Sequence, residues 1–112
     1  MTTTLIANLE KLLGGPRDGA VLRYSLGNEY LKAGHFEQAA MHLRAAVEID
    51  ARYSAAWKLL GKALRESGRS AEALAAYEQG IVVAESRGDI QAAREMTVFA
   101  RRLRRQLPAA EN

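Results

Sequence analysis

Three cations in the middle of the chain pose the first chemical question. Lys58, Lys62 and Arg65 stand in "AWKLLGKALRES" at i, i+4 and i+7, a spacing that places side chains on one face of an α-helix. Ammonium and guanidinium groups in a row attract carboxylates, and a concave low-dielectric wall strengthens that attraction over its open-surface value. A second cationic stretch, "ARRLRRQL", occupies residues 100–107. With Arg94 just ahead of it, Arg101 and Arg105 complete an i, i+7, i+11 spacing. The chemistry on offer is contact with an anion or a nucleic acid. The plainer role is to complement the negative end of a helix and keep it soluble.

Catalytic arrangements are lacking. The histidines are His35 and His42, with no HExxH pattern and no acid at a ligand spacing. Both are expected at ordinary surface or interface positions. Gly61-Lys62 is followed by Ala63 inside a helical pattern, so it is no phosphate loop. No cysteine is present, which removes thiol catalysis, disulfides and cysteine-based metal sites. The expectation is a non-enzymatic protein with no catalytic residue, cofactor or metal, whose chemistry is that of a binding surface.

The elements that position those cations follow from composition and pattern. The chain has 112 residues, 48% of them hydrophobic, which suits one packed domain. Alanine and leucine dominate and the prolines are Pro16 and Pro108, so the fold class is all-α. The opening MTTTLIANLEKLLGG has no basic lead, and its apolar run is broken by Asn8, Glu10 and Lys11. It reads as neither a secretion signal nor a membrane span; a soluble cytoplasmic protein is expected. The net charge of +3 is uneven: residues 1–50 carry five Lys/Arg against six Asp/Glu, and residues 87–112 carry six arginines against three acids.

Residues 20–53 shifted onto residues 54–87 reveal a repeat. Leu26 falls on Leu60, Gly27 on Gly61, Gly34 on Gly68 and Ala39 on Ala73. Tyr30 falls on Leu64, Leu43 on Tyr77, and Ala46 on Gly80. Glycine inside a helix costs about 1 kcal/mol relative to alanine, so Gly27 and Gly61 need a reason. Close helix crossing supplies one, with Gly27 expected against Ala39, Gly61 against Ala73, and Gly80 against the following helix. Gly34 and Gly68 are expected to end helices in a left-handed turn.

Trp57, Leu60 and Gly61 have the W-x2-L-G spacing, Leu64 follows where tyrosine is usual, and Ala73 and Tyr77 have the A-x3-F spacing. The first copy holds Leu26, Gly27, Tyr30, Ala39, Leu43 and Ala46 in the same frame, with Arg23 in place of the tryptophan. Over residues 20–87 the chain resembles the tetratricopeptide repeat family. The resemblance implies an antiparallel helix-pair solenoid of about six helices in one domain, 1–112. Its parts would be an N-terminal capping helix (4–15), repeat 1 (20–53), repeat 2 (54–87), a C-terminal capping helix (88–107) and a tail (108–112). Periodicity and turn signals predict helices over 4–13, 17–33, 36–50, 53–67, from Ser70 to "SRGD", and 89–107. Pro16 or Asp18 is expected to start the second, Ser70 to cap the fifth, and Asp89 to open the last. In strict repeat frame Arg94 and Glu95 replace the leucine and glycine, so the third repeat is broken. Alanine at position 51, where the family usually has proline, leaves that turn less sharply specified.

The family's groove-facing positions carry its ligand contacts. They correspond here to Tyr24, Asn28, Leu31 and Lys32 in the first repeat, and to Lys58, Lys62, Arg65 and Glu66 in the second. The implied partner is another protein or a peptide, acidic in view of the three cations. A subset of the family grips a terminal carboxylate with lysine and asparagine from the first repeat. Asn28 matches, but Tyr24 replaces the lysine, so a full clamp is not expected. A second reading is a basic accessory protein touching nucleic acid through the last helix. With seven aromatics, several in core positions, a base-stacking platform is not evident. A third reading is a self-associating scaffold, a homodimer through the exposed solenoid ends.

Overall fold

The computed structural model describes residues 2–108; residues 109–112 of the expected tail lie outside the described residues. Six helices follow one another: α1 (Thr2–Glu10), α2 (Ala20–Lys32), α3 (Phe36–Ile49), α4 (Ser54–Glu66), α5 (Ser70–Ser86) and α6 (Ile90–Gln106). Each packs antiparallel on the next, and the stack measures 46 × 29 × 22 Å. The fold is an all-α helical solenoid.

Three helix ends share one device. At Gly68 the backbone is left-handed, φ 79°, a conformation other residues adopt only under strain. Gly68 N–H donates to Arg65 O at 3.0 Å, and Arg69 N–H to Leu64 O at 2.8 Å. This is a Schellman closure, which satisfies carbonyls that the helix end leaves open. The same pair of bonds recurs at Gly34 and at Gly88, the latter after α5. The last helix pair therefore turns as the intra-repeat pairs do.

The α3–α4 turn uses other means. Asp50 Oδ1 accepts from Arg52 N at 3.0 Å, and the Trp57 indole donates to Ala51 O at 2.9 Å. A side-chain turn and a tryptophan clamp hold the place where Ala51 left the turn less sharply specified.

Two expected starts move. α2 begins at Ala20 after Gly19, not near Pro16. Asp18 is no cap; its carboxylate accepts from Gly14 N at 2.9 Å and from the Arg23 guanidinium at 3.0 Å, closing the loop ahead of α2. Arg69, not Ser70, stands at the cap of α5 and makes no side-chain bond there. Asp89 does cap α6, accepting from Ala92 N at 3.3 Å.

The main core runs through α2 to α6, with Leu43, Leu60, Leu64, Tyr77, Met96 and Leu103 fully buried. Each such side chain contributes about 1.5–3 kcal/mol by leaving water. A smaller cluster, Ile6 with Leu22 and Leu26, docks α1. So short a helix needs this support in water.

The repeat glycines are buried, as close crossing requires, but their neighbours differ from expectation. A Cβ on Gly27 would run into the Leu43 side chain, and one on Gly61 would lie 2.5 Å from the Tyr77 ring. Each glycine faces a large side chain one turn beyond the expected alanine. Ala39 and Ala73 are also fully buried. A Cβ on Gly80 would meet Met96 Sδ at 2.5 Å and Trp57 Cβ at 2.8 Å, so this glycine serves α6 and α4 together.

Candidate functional site

α2, α4 and α6 form one layer, each touching the next. Among the described residues the backbones of α3 and α5 do not approach each other; long charged side chains bridge them, Arg44 to Glu72 and Arg69 to Glu37. A stack tight on one side and splayed on the other curves, and α2, α4 and α6 line its inner face.

On that face Lys58, Lys62 and Arg65 gather in one cleft of about 360 Å³ between α4 and α6. Leu59, Tyr77, Glu95 and Phe99 complete its lining. The three cations are not equivalent. Lys58 Nζ pairs with Glu95 Oε1 across the cleft at 2.7 Å. The hydrogen bond and charge of Lys58 hold the Glu95 carboxyl below its ordinary range. Arg65 lies over the Phe99 ring, 5.3 Å from its centroid, and its guanidinium reaches Glu66 at 3.2 Å. Lys62 is exposed and has no ion-pair partner among the described residues.

The cleft has an aromatic floor. Tyr77 rises from α5, its ring 5.4 Å from that of Phe99 and pressed on the bare face of Gly61. Its buried hydroxyl has no hydrogen-bond partner among the described residues, and burial pushes its pKa up to about 12. The group is therefore a protonated donor at any ordinary pH.

The four positions expected to contribute from α2 do not enter this cleft. Tyr24 is half-buried and stacks on Tyr53 at 4.9 Å, bracing the start of α4. Asn28 is half-buried one turn further along α2. Lys32 is exposed and pairs with Glu29 at 3.3 Å. Leu31 needs correction: it is buried in the main core and does not line the groove. Its place in the last turn of α2 puts it in the main core cluster, where apolar burial outweighs exposure.

Sequence reasoning missed Leu59, Tyr77, Glu95 and Phe99 as cleft residues. For Glu95 and Phe99 the signal was the length of α5. Because α5 runs to Ser86, α6 starts two residues later than the repeat would place it, and the strict frame no longer says which residues face the groove.

His42, expected near the surface, is instead 3% exposed and stacked on Tyr30 at 5.5 Å. His35 meets the edge of the same ring from an exposed position. No group of three potential metal ligands comes together among the described residues. No described helix is long and apolar enough to cross a membrane. In α6, Arg94 and Arg101 border one shallow hollow, and Arg104 pairs with Glu78 at 2.8 Å.

A tetratricopeptide repeat family model matches residues 30–96, which take in the Gly61 and Gly80 crossings and the cleft residues from Lys58 to Glu95. The chain belongs to the tetratricopeptide repeat family. A TPR repeat-containing protein of Pseudomonas aeruginosa is 52% identical over 101 residues, 90% of this chain and 96% of that protein. A solved Bordetella parapertussis protein is 44% identical, with a TM-score of 0.77 over 91% of this chain and 89% of its own. A tetratricopeptide repeat domain protein from Salinibacter ruber is 28% identical, with a TM-score of 0.73 over 87% and 96% of the two chains.

Tetratricopeptide repeats mediate contacts between proteins. Within this tetratricopeptide module Lys58, Lys62, Arg65, Glu95 and Phe99 of the concave layer meet in the α4–α6 cleft. The backbone supplies rigid support while the site supplies function.

Proposed function

We propose that this tetratricopeptide module is a non-enzymatic binding protein that holds an acidic segment of another protein against α2, α4 and α6. The observation that carries this reading is the cleft in which Lys62 stands unpaired beside Lys58 and Arg65, over an aromatic floor. Exposed cations at such a wall attract carboxylates, and the apolar floor gives the flanking side chains a place to leave water. Tyr24 and Asn28 extend the same face toward α1 and offer further contact along a peptide. The reading places the protein in the cytoplasm, in keeping with its lack of cysteine.

Affinity capture with the wild-type chain and with the Lys58→Glu/Lys62→Glu double variant tests it. Partners retained by the wild type are mapped to a peptide and measured by calorimetry. Charge reversal abolishes their binding while helicity stays unchanged and melting falls only by the small worth of the Lys58–Glu95 pair. Equal binding by the double variant removes the groove from consideration.

A further inference from the structure

The cleft holds a polar group that packing does not require. In the first repeat the place of Tyr77 is taken by Leu43, which is fully buried against Gly27 and is wholly apolar. The second repeat makes the same crossing with a tyrosine. Its ring does the work of Leu43, resting on Gly61 and Phe99. Its hydroxyl adds a donor that finds no acceptor among the described residues. Buried hydroxyls nearly always have a partner, and one without calls for an explanation.

The surroundings say what the partner is. Arg65 and Glu66, the charged groups whose fields act on the hydroxyl, pair with each other. Glu95 is neutralised by Lys58. Lys62 is the cation of the cleft with charge left to give, so the missing acceptor is anionic. Depth selects among anions. The hydroxyl is buried in a cleft whose lining includes Leu59, Arg65 and Phe99, so an acceptor must reach it on an apolar stem. A chain-terminal carboxylate is fixed to the backbone and lacks that stem. A glutamate side chain has two methylenes and a carboxylate at the end.

Resting on the peptide-binding reading above, we propose that Tyr77 is the specificity-determining residue of the α4–α6 cleft. Its hydroxyl donates a hydrogen bond to the side-chain carboxylate of a glutamate in the bound segment, while Lys62 pairs with that carboxylate from the rim. Arg65 shifts off Phe99 to admit the side chain. The preference is for glutamate over glutamine in a leucine-rich context, since Leu59 and Phe99 receive the flanking apolar groups.

The test uses capped heptapeptides with Leu-Glu-Leu or Leu-Gln-Leu at the centre, and an uncapped one ending in Leu-Leu with a free carboxylate. Binding is followed by amide chemical shifts of Lys62 and Phe99 in the full chain. The glutamate peptide binds about tenfold tighter than the glutamine one, the scale of one charge-assisted hydrogen bond. Tyr77→Phe keeps the ring, so melting holds or rises, and it erases most of that preference, costing the glutamate peptide more than the glutamine one, whose carbonyl accepts a weaker neutral bond. Lys62→Ala weakens the glutamate peptide alone. If Tyr77→Phe retains the full preference while Lys62→Ala loses it, the Tyr77 assignment fails and the groove reading stands. If the free-carboxylate peptide binds as tightly as the glutamate one, side-chain recognition is overturned. If no peptide shifts the cleft of the wild type, both readings fall.

Discussion

The Tyr77 ring fills the space that a side chain on Gly61 would need, with Cε1 2.5 Å from the ideal Cβ position. This relation spans the two helices of the second repeat. It sets how closely α4 and α5 approach, and it fixes the floor of the cleft. Leu43 and Gly27 repeat it in the first pair, and Met96 and Gly80 between α5 and α6.

Gly61→Ala therefore destabilises the protein despite better helix propensity. Alanine gains about 1 kcal/mol in a helix interior, but overpacking a filled core costs about 1–3 kcal/mol. The rigid ring cannot fold away, so the cost falls toward the upper end of its range and a net loss of up to about 2 kcal/mol is expected from these opposing terms. A urea melt of the variant measures it. A midpoint equal to or above that of the wild type contradicts the crossing described here.

Stability falls with acid through His42. Burial, and then the charge of Arg23, lowers its pKa below the ordinary value of 6.5; Glu10 and Asp18 oppose this. The unfolded chain therefore takes up the proton first, and stability rises with pH wherever that holds. The contribution is complete above about pH 6.5, the unfolded histidine value, and is lost as pH falls from there toward the lowered folded value. Denaturation curves between pH 7.5 and 5 follow this slope. His42→Phe retains the stack on Tyr30 and flattens it; an unchanged slope in that variant assigns the effect elsewhere.

The pairing of Lys58 with Glu95 makes the cleft partly self-neutralised. Glu95→Gln frees Lys58 for an incoming carboxylate. Affinity for the glutamate heptapeptide rises by about two- to fivefold, as expected when an exposed pair no longer competes. The gain shrinks with added salt, because screening acts on exposed charges. Fluorescence titrations at two ionic strengths read both effects. A loss of affinity would show that Glu95 orders the site and does not restrain it.

The cations of α4 were legible in the sequence because helical spacing alone puts Lys58, Lys62 and Arg65 on one face. The glycines were legible as crossing points, since their helix cost had to be offset by packing. Their partners were not, because sequence offset says which residues share a helix face and not which side chain fills the space a glycine leaves. Leu31 shows a related gap: a groove position in the repeat frame sits at a helix end, where burial against the neighbouring helix takes precedence. Glu95 and Phe99 were hidden by the extended α5, which displaces α6 relative to the repeat. His42 looked like a surface histidine because a single polar residue does not reveal the ring stacked above it.

Asp89 ties that displaced helix back to the site. One carboxylate oxygen accepts from Ala92 N at 3.3 Å and caps α6; the other accepts from Ser54 Oγ at 3.1 Å, at the start of α4. One side chain thus fixes the helix that carries Glu95 and Phe99 against the helix that carries the cations. Loss of an N-cap costs about 1 kcal/mol, and the broken bond to Ser54 leaves a buried hydroxyl without its partner. Asp89→Ala is expected to lower stability by about 1–2 kcal/mol, and to speed hydrogen exchange in the first turn of α6 ahead of the rest of the fold. Asp89→Asn keeps an acceptor for Ala92 and offers a donor to Ser54, so most of the loss is recovered. Exchange in both variants, read amide by amide, separates a fraying cap from global unfolding. Uniform acceleration across all helices would mean that Asp89 supports the whole stack and not the α4–α6 junction.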